Sequence, residues 1–348
     1  SAYCHPDAYP GLRDRFYRNL GPGPGGPRFE DATGAAGFGE TDRAARGVIA
    51  GDLDGDGWPD LYVANDAEPN FLFRNRHDGT FEDISALSGT SHGEGGKAEG
   101  SMGVDLGDVD GDGLLDIVVT HFEIETNALY KNLGGGLFTD ARYATGVAAG
   151  SLPMLAFGVS FADFDHDGDL DLVVANGHIL DNAPLFNPRS RHAQPNQLFE
   201  NRRGRFREVD AAGAGMTAVR VSRGLAHGDL DGDGDLDLVI VNQDDLAEVY
   251  ENLAGAATGG WLLVDLSSAG GGTPHGVGAR LEARVPGEGQ PVQAREVRTG
   301  SSYLSQSAMT VHFGLGGAET ATLTVRWPSG EVRRIEGLPA SRRYRIEE

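Results

Sequence analysis

The sequence predicts an all-β fold, a β-propeller of four full blades plus a partial one, followed by a small C-terminal β-domain. A nine-residue acidic segment recurs four times in 348 residues at near-constant spacing, the mark of a repeat architecture. Each copy sits in the same series of short β-branched and aromatic runs broken by Gly and Asn, which read as strands and turns. The 53 glycines follow no Gly-X-Y period, as suits a turn-rich all-β chain.

The acidic segments have the form D-x-D-x-D-G-x-x-D and occupy residues 52–60, 108–116, 163–171 and 229–237. Their first aspartates are 56, 55 and 66 residues apart, the long interval being explained by an insertion over 177–195 rich in Pro, Asn and His. Five residues before each first Asp stands a glycine: Gly47, Gly103, Gly158 and Gly224. A strand lined by glycine fits the crowded inner wall of a ring, where a side chain would collide with its neighbours. After each loop comes an apolar run (61–63, 117–119, 172–174, 238–240), then a run ending in Asn75, Asn132, Asn201 or Asn252. Past a Gly-containing turn a last run begins at Phe81, Phe138 or Phe206. Four strands per unit make a propeller blade.

At the two ends the repeat is incomplete. Segments 15–19 and 28–31 match the last two strands of a unit whose first strand and acidic loop are absent, and the fourth unit has no counterpart of 81–84. Circular closure would let 28–31 supply the outer strand of the last blade, beside Tyr250. The favoured alternative is that the chain is the C-terminal part of a longer protein and forms an open arc with exposed apolar blade faces. Past Asn252 the acidic loops cease. Runs 261–266, 279–285 and 322–327 alternate as half-buried strands do, and Trp-Pro-Ser-Gly at 327–330 reads as a tight turn. The units are therefore 1–39 (partial blade), 40–255 (four loop-bearing blades) and 256–348 (C-terminal β-domain).

Three aspartates at alternate positions converge when the chain curls tightly, and glycine at position six permits the curl. So many hard oxygen ligands suit calcium better than zinc or iron. Side chains at positions one, three, five and nine, with the carbonyl at seven, give Asp52, Asp54, Asp56, Trp58 and Asp60 in the first loop. They give Asp108, Asp110, Asp112, Leu114 and Asp116 in the second, and Asp163, Asp165, Asp167, Asp169 and Asp171 in the third. In the fourth they are Asp229, Asp231, Asp233, Asp235 and Asp237. About four calcium ions are expected, one per loop. An EF-hand is excluded, since position twelve is Val63, Val119, Val174 and Ile240 rather than Glu and the flanks are strands. Inside a rigid repeat the ion acts as a staple rather than a switch.

These blades resemble FG-GAP/VCBS repeats, the calcium-loop units also found in integrin α chains. Together with Tyr-Cys-His-Pro at 3–6, the chain resembles bacterial members of the cartilage acidic protein family over nearly its whole length. The motifs at 276–279, 300–306 (Gly-Ser-Ser-Tyr-Leu-Ser-Gln), 312–316 and 327–330 resemble the ASPIC/UnbV domain that closes such proteins. Some relatives are encoded in natural-product pathways. The resemblance implies further repeats upstream, a seven-bladed ring, and a disulfide partner for Cys4 in that upstream part.

Twenty-nine Lys and Arg against 52 Asp and Glu leave a net charge of −23, which repels phosphate backbones and excludes nucleic acid as a partner. No apolar stretch is long enough to insert into a membrane. No P-loop, G-x-S-x-G or H-E-x-x-H occurs. Positions five after each loop, Asn65, His121, Asn176 and Asn242, stand at strand ends and are expected as solvated polarity on one rim. Glu123, Glu125, His178, Asp181 and His192 lie nearby in sequence, and His312 reads as a packed strand residue. Two functions follow. One is a secreted calcium-binding recognition or scaffold module for a protein, glycan or small-molecule ligand, extracellular or periplasmic, its signal peptide not present in this chain. The other is a calcium-dependent enzyme of secondary metabolism or polysaccharide processing, a lyase, cyclase or isomerase using the rim.

Overall fold

The computed structural model describes residues 11–348 apart from 40–41, 211–214, 255–258, 269–272 and 288. Cys4, the segment 3–6 and the junctions at 39/40 and 255/256 lie outside or beside the described residues. Three antiparallel four-stranded sheets follow the repeat. The first blade comprises Ala45–Gly51, Asp60–Asn65, Phe71–Asn75 and Phe81–Asp83. The second comprises Ser101–Gly107, Asp116–His121, Ala128–Asn132 and Phe138–Asp140. The third comprises Ala156–Ala162, Asp171–Asn176, Gln197–Asn201 and Phe206–Val209. The fourth blade has three strands among the described residues, Ser222–Gly228, Asp237–Asn242 and Glu248–Tyr250. Among the described residues no fourth strand pairs with Glu248–Tyr250, where the sequence offers no counterpart of 81–84.

Alternation along each strand sends successive side chains to opposite faces, and both faces are used because cores lie between blades. In the second blade, Ile117 and Val119 pack with Ile49, Tyr62 and Leu72 of the first. The intervening Val118 packs with Val159, Leu172 and Phe199 of the third. The third and fourth blades share Val173, Ala175, Leu225, Leu238 and Ile240.

Inner strands approach closely. A Cβ on Gly103 would stand 2.0 Å from the carbonyl oxygen of Phe157 in the next blade, and one on Gly47 2.6 Å from that of Met102. The glycine-lined inner wall is therefore a packing requirement. On the first blade's free face, Val63, Phe71 and Phe73 are covered by Phe38. Phe38 stacks in turn on Phe16 at 5.1 Å. Beside it, Tyr17–Gly23 and Gly26–Asp31 pair as a hairpin. Gly37 abuts the Phe81 carbonyl as Gly89 abuts that of Phe138 and Gly146 that of Phe206, all at φ near +90°. This segment thus occupies the place of a preceding blade's end. Phe29 pairs with Asn19 and is 58 % exposed, while Tyr250 pairs with Leu238. The strand-swap closure is not formed. Val241 and Val249 on the fourth blade's far face are exposed, as expected of an open arc.

The C-terminal domain is a two-layer sandwich. Val311–Gly316, Gly260–Ser267 and Arg342–Glu347 form one sheet, with Gly260–Ser267 central. Gln293–Glu296, Arg280–Arg284, Thr320–Arg326 and Val332–Pro339 form the other. Leu262, Val264, Leu281, Phe313, Leu323, Val325 and Trp327 fill the core between them. Trp327 closes the tight turn read at 327–330, Gly330 N–H donating to its carbonyl at 2.9 Å. Its segment 300–308 enters the centre of the arc. Ser302 exchanges two backbone hydrogen bonds with Val104 (2.9 and 3.1 Å), and its hydroxyl accepts Val159 N–H at 2.9 Å. Tyr303 meets Phe157 edge to face, and Ala308 N–H donates to the His227 carbonyl at 2.9 Å. Where Gly158 meets the next inner strand, Gly224 meets Ser305. Among the described residues no helix is long and apolar enough to cross a membrane.

Candidate metal centre

Each acidic loop curls because its first aspartate accepts backbone N–H groups within its own turn. Asp52 takes those of Gly55 and Gly57 at 2.9 and 3.0 Å, and Asp108 takes those of Gly111 and Gly113. The curl brings three carboxylates of each loop together, with ligand oxygens within 4.8 Å of one another. The trios are Asp52, Asp54 and Asp60; Asp108, Asp110 and Asp112; Asp163, Asp165 and Asp167; and Asp229, Asp231 and Asp237.

Further contacts crowd the loops. Asp56 contacts His77 Nε2 at 2.6 Å, and exposed Trp58 stacks on the same imidazole. Asp169 accepts Arg203 N–H at 2.9 Å. Asp235 is buried 3.4 Å from His166 Nε2. Lys131 pairs with Asp110 in the second loop.

The ninth position has a structural job the motif did not disclose. Asp60, Asp116, Asp171 and Asp237 each accept two backbone N–H groups, one from loop position two and one from the Asn ending the third strand. That Asn reaches onward. Asn132 Nδ2 donates to Leu53 O of the preceding blade's loop at 3.0 Å, Asn201 to Val109 O at 2.8 Å and Asn252 to Phe164 O at 2.9 Å. Asp nine and Asn latch each loop to its own blade, and in blades two to four the Asn ties it to the previous loop as well.

Burial raises these carboxyls, with like charge from their neighbours adding to it. Asp60, Asp116 and Asp163 are pushed up to about 7, Asp108 and Asp167 to about 6, and Asp171 to about 9. Asp163 Oδ1 and Asp110 Oδ1 are buried without a hydrogen-bond partner. Converging, desolvated, partly unpartnered carboxylates fit a hard divalent cation.

The C-terminal domain sits on this loop face. Gly314 N–H donates to Asp163 Oδ2 at 2.9 Å and Gly316 N–H to His166 O at 2.7 Å. Arg280 donates to Gly113 O at 2.5 Å, Arg295 to Gly168 O at 3.3 Å, and Glu296 accepts Asp52 N–H at 3.2 Å. His312 is packed, 7 % exposed, with its ring 5.0 Å from that of His166.

At the opposite rim, Asn65, His121, Asn176 and Asn242 are buried rather than solvated. The loop after each strand folds back over them. Asn65, Asn176 and Asn242 donate through Nδ2 to the carbonyls of Pro69, Pro195 and Leu246, and His121 meets Thr126 O through Nδ1 at 2.8 Å. Glu99, bound by Arg142 at 2.7 Å, lies 3.5 Å from His121 Nε2. Glu123 lies 3.3 Å from His178. Glu125 accepts Gly100 N–H at 2.7 Å. Asp181 is exposed and His192 half-buried, the latter giving its carbonyl to His178 N–H.

Repeats, loops and C-terminal sandwich together define the class. The FG-GAP-like repeat family matches residues 52–119 and 108–174, and the ASPIC and UnbV family matches 270–348. The chain is an FG-GAP-repeat β-propeller protein with a C-terminal ASPIC and UnbV domain. It is a relative of cartilage acidic protein 1. It is 30 % identical to the Xenopus tropicalis protein over 295 residues, covering 82 % of this chain and 42 % of the relative. Identity to the Homo sapiens protein is also 30 % over 295 residues, covering 82 % and 41 %. The chain thus spans less than half the length of these relatives. Among solved structures, an Agrocybe aegerita lectin specific for non-reducing terminal N-acetylglucosamine overlaps at a TM-score of 0.36 and 20 % identity, covering 63 % of this chain and 55 % of that one. Exotype rhamnogalacturonan lyase YesX overlaps at 0.34 and 16 %, covering 86 % and 55 %. Overlap this low carries no functional inference.

Proposed function

We propose that this chain is a calcium-stapled scaffold or recognition module that works outside the cytoplasm. In it, Asp52, Asp54 and Asp60 and their three counterpart trios each hold one ion. The observation that carries the reading is the fourfold convergence of carboxylates within 4.8 Å on loops that are latched from blade to blade. A bound cation would supply charge neutralisation. The chain's own residues orient the carboxylates, exclude water and fix the loop. Sites that fill only at the millimolar calcium found outside cells would support export. Partners would be a protein, glycan or small molecule. At the rim Glu99 is held by Arg142, and His121 and His178 meet the backbone of Thr126 and Leu180 through Nδ1, while their Nε2 atoms face Glu99 and Glu123 without a hydrogen-bond partner.

Metal analysis after dialysis against calcium buffer should approach four per chain, and a chelator should lower the melting temperature, since an ion bound only to the folded state stabilises it by mass action. A stoichiometry near zero, with melting indifferent to chelator, would overturn the proposal.

A further inference from the structure

Where the C-terminal domain covers the centre of the arc, a cavity of about 100 Å³ remains between the inner strands of blades two to four and the segment 294–312. That is room for a molecule of a few heavy atoms. Its hydrogen-bonding account is lopsided. On the acidic side, Asp105 is saturated. It accepts Arg298 Nη2 at 3.0 Å, Leu106 N–H at 2.9 Å, Phe161 N–H at 2.8 Å and the Ser160 hydroxyl at 3.4 Å. Glu296 is engaged by the backbone of Asp52, and Asp163 belongs to the third acidic loop.

The donors are not saturated. Arg298 Nε–H and the Ser301 hydroxyl are buried without a hydrogen-bond partner, and so are the two ring nitrogens of His312, one a donor and one an acceptor in the neutral imidazole. Arg295 donates to the carbonyl oxygens of Ala294 and Gly168 and lies over Phe313. Leaving a buried charged donor unpaired is costly. An ammonium ligand would find Asp105 taken, whereas a carboxylate offers two oxygens to the waiting N–H and O–H groups.

We propose that this interdomain cavity is a binding site for a small monocarboxylate, held by Arg298 Nε, Ser301 and His312 with Arg295 as the facing cation. The site does not require the calcium reading, but it shares Asp163 with the third acidic loop. The segment 300–306 then has two roles, to fill the arc's centre and to wall the site.

Saturation-transfer NMR on the full chain, with ionic strength fixed by chloride, tests this with acetate and with ethylammonium as a size-matched cation. Acetate should show saturable binding in the millimolar range expected of so small a ligand, and ethylammonium none. Arg298→Lys keeps the charge but removes Nε–H, and should weaken acetate roughly tenfold. Because Arg298 also holds Asp105, Ser301→Ala provides a milder variant, expected to weaken binding about fivefold with an unchanged melting temperature. Absence of saturable acetate binding, equal response to ethylammonium, or affinity unchanged in both variants would each show that the cavity holds only water.

Discussion

Asp171 shows how one residue serves two ends. Its carboxylate accepts Phe164 N–H and Asn201 N–H, while burial pushes it up to about 9. In the first three loops, carboxyls raised to between about 6 and 9 hold protons in the folded, metal-free chain that they would have lost in the unfolded chain from about pH 4 upward. Its stability must therefore fall as pH rises through that window. A cation that displaces those protons reverses the trend. Calcium affinity is expected to rise from pH 5 to pH 8 with release of protons, measurable by titration calorimetry in buffers of different ionisation enthalpy. A pH-independent affinity would contradict the raised carboxyls. Asn201 makes a separate test, since it donates to Val109 O and Leu170 O and accepts Gly204 N–H. Asn201→Ala should cost about 2–4 kcal/mol in urea unfolding, with or without chelator, because it is not a ligand.

Blades were legible in the sequence because each strand recurs at the same offset from an acidic loop and alternates between two buried faces. The repeated Asn was visible as a letter but not as a latch. Its partners lie 79, 92 and 88 residues away, beyond any local pattern. The rim positions read as solvated because a polar residue at a strand end usually is. Here the following loop folds back and supplies a carbonyl, which no single strand reveals. Inner-strand glycines were read correctly, and their steric role can be graded. Gly103→Ala drives a Cβ against the fixed backbone of Phe157 and should cost about 3 kcal/mol. Gly224→Ala meets only the Ser305 hydroxyl at 2.7 Å, a side chain that can rotate away, and should cost less than about 1 kcal/mol. Equal costs in thermal or urea unfolding would mean that blade contact is not what the glycines protect.

The seating of the C-terminal domain on the acidic loops escaped sequence reading altogether, because Arg280, Arg295, Glu296 and Gly314 belong to no motif shared with the repeats. Gly314 is the sharpest probe of that seat. A Cβ there would stand 2.2 Å from Asp163 Oδ2 and 2.5 Å from the His166 backbone. Gly314→Ala should loosen the domain, read as faster limited proteolysis, and should weaken one calcium site while sparing three. An unchanged cleavage pattern would show that the seat does not depend on this contact. The segment 300–308 carries a further consequence, in time rather than space. Val104 completes its backbone pairing, and Val159 N–H finds its hydroxyl acceptor, only with Ser302, synthesised some two hundred and one hundred and forty positions later. Blades can assemble in order as they emerge, but the centre of the arc stays unfinished until the last seventh of the chain appears. Folding should therefore end in a slow, high-contact-order closing step, during which the inner strands remain open to chaperones or to the wrong partner.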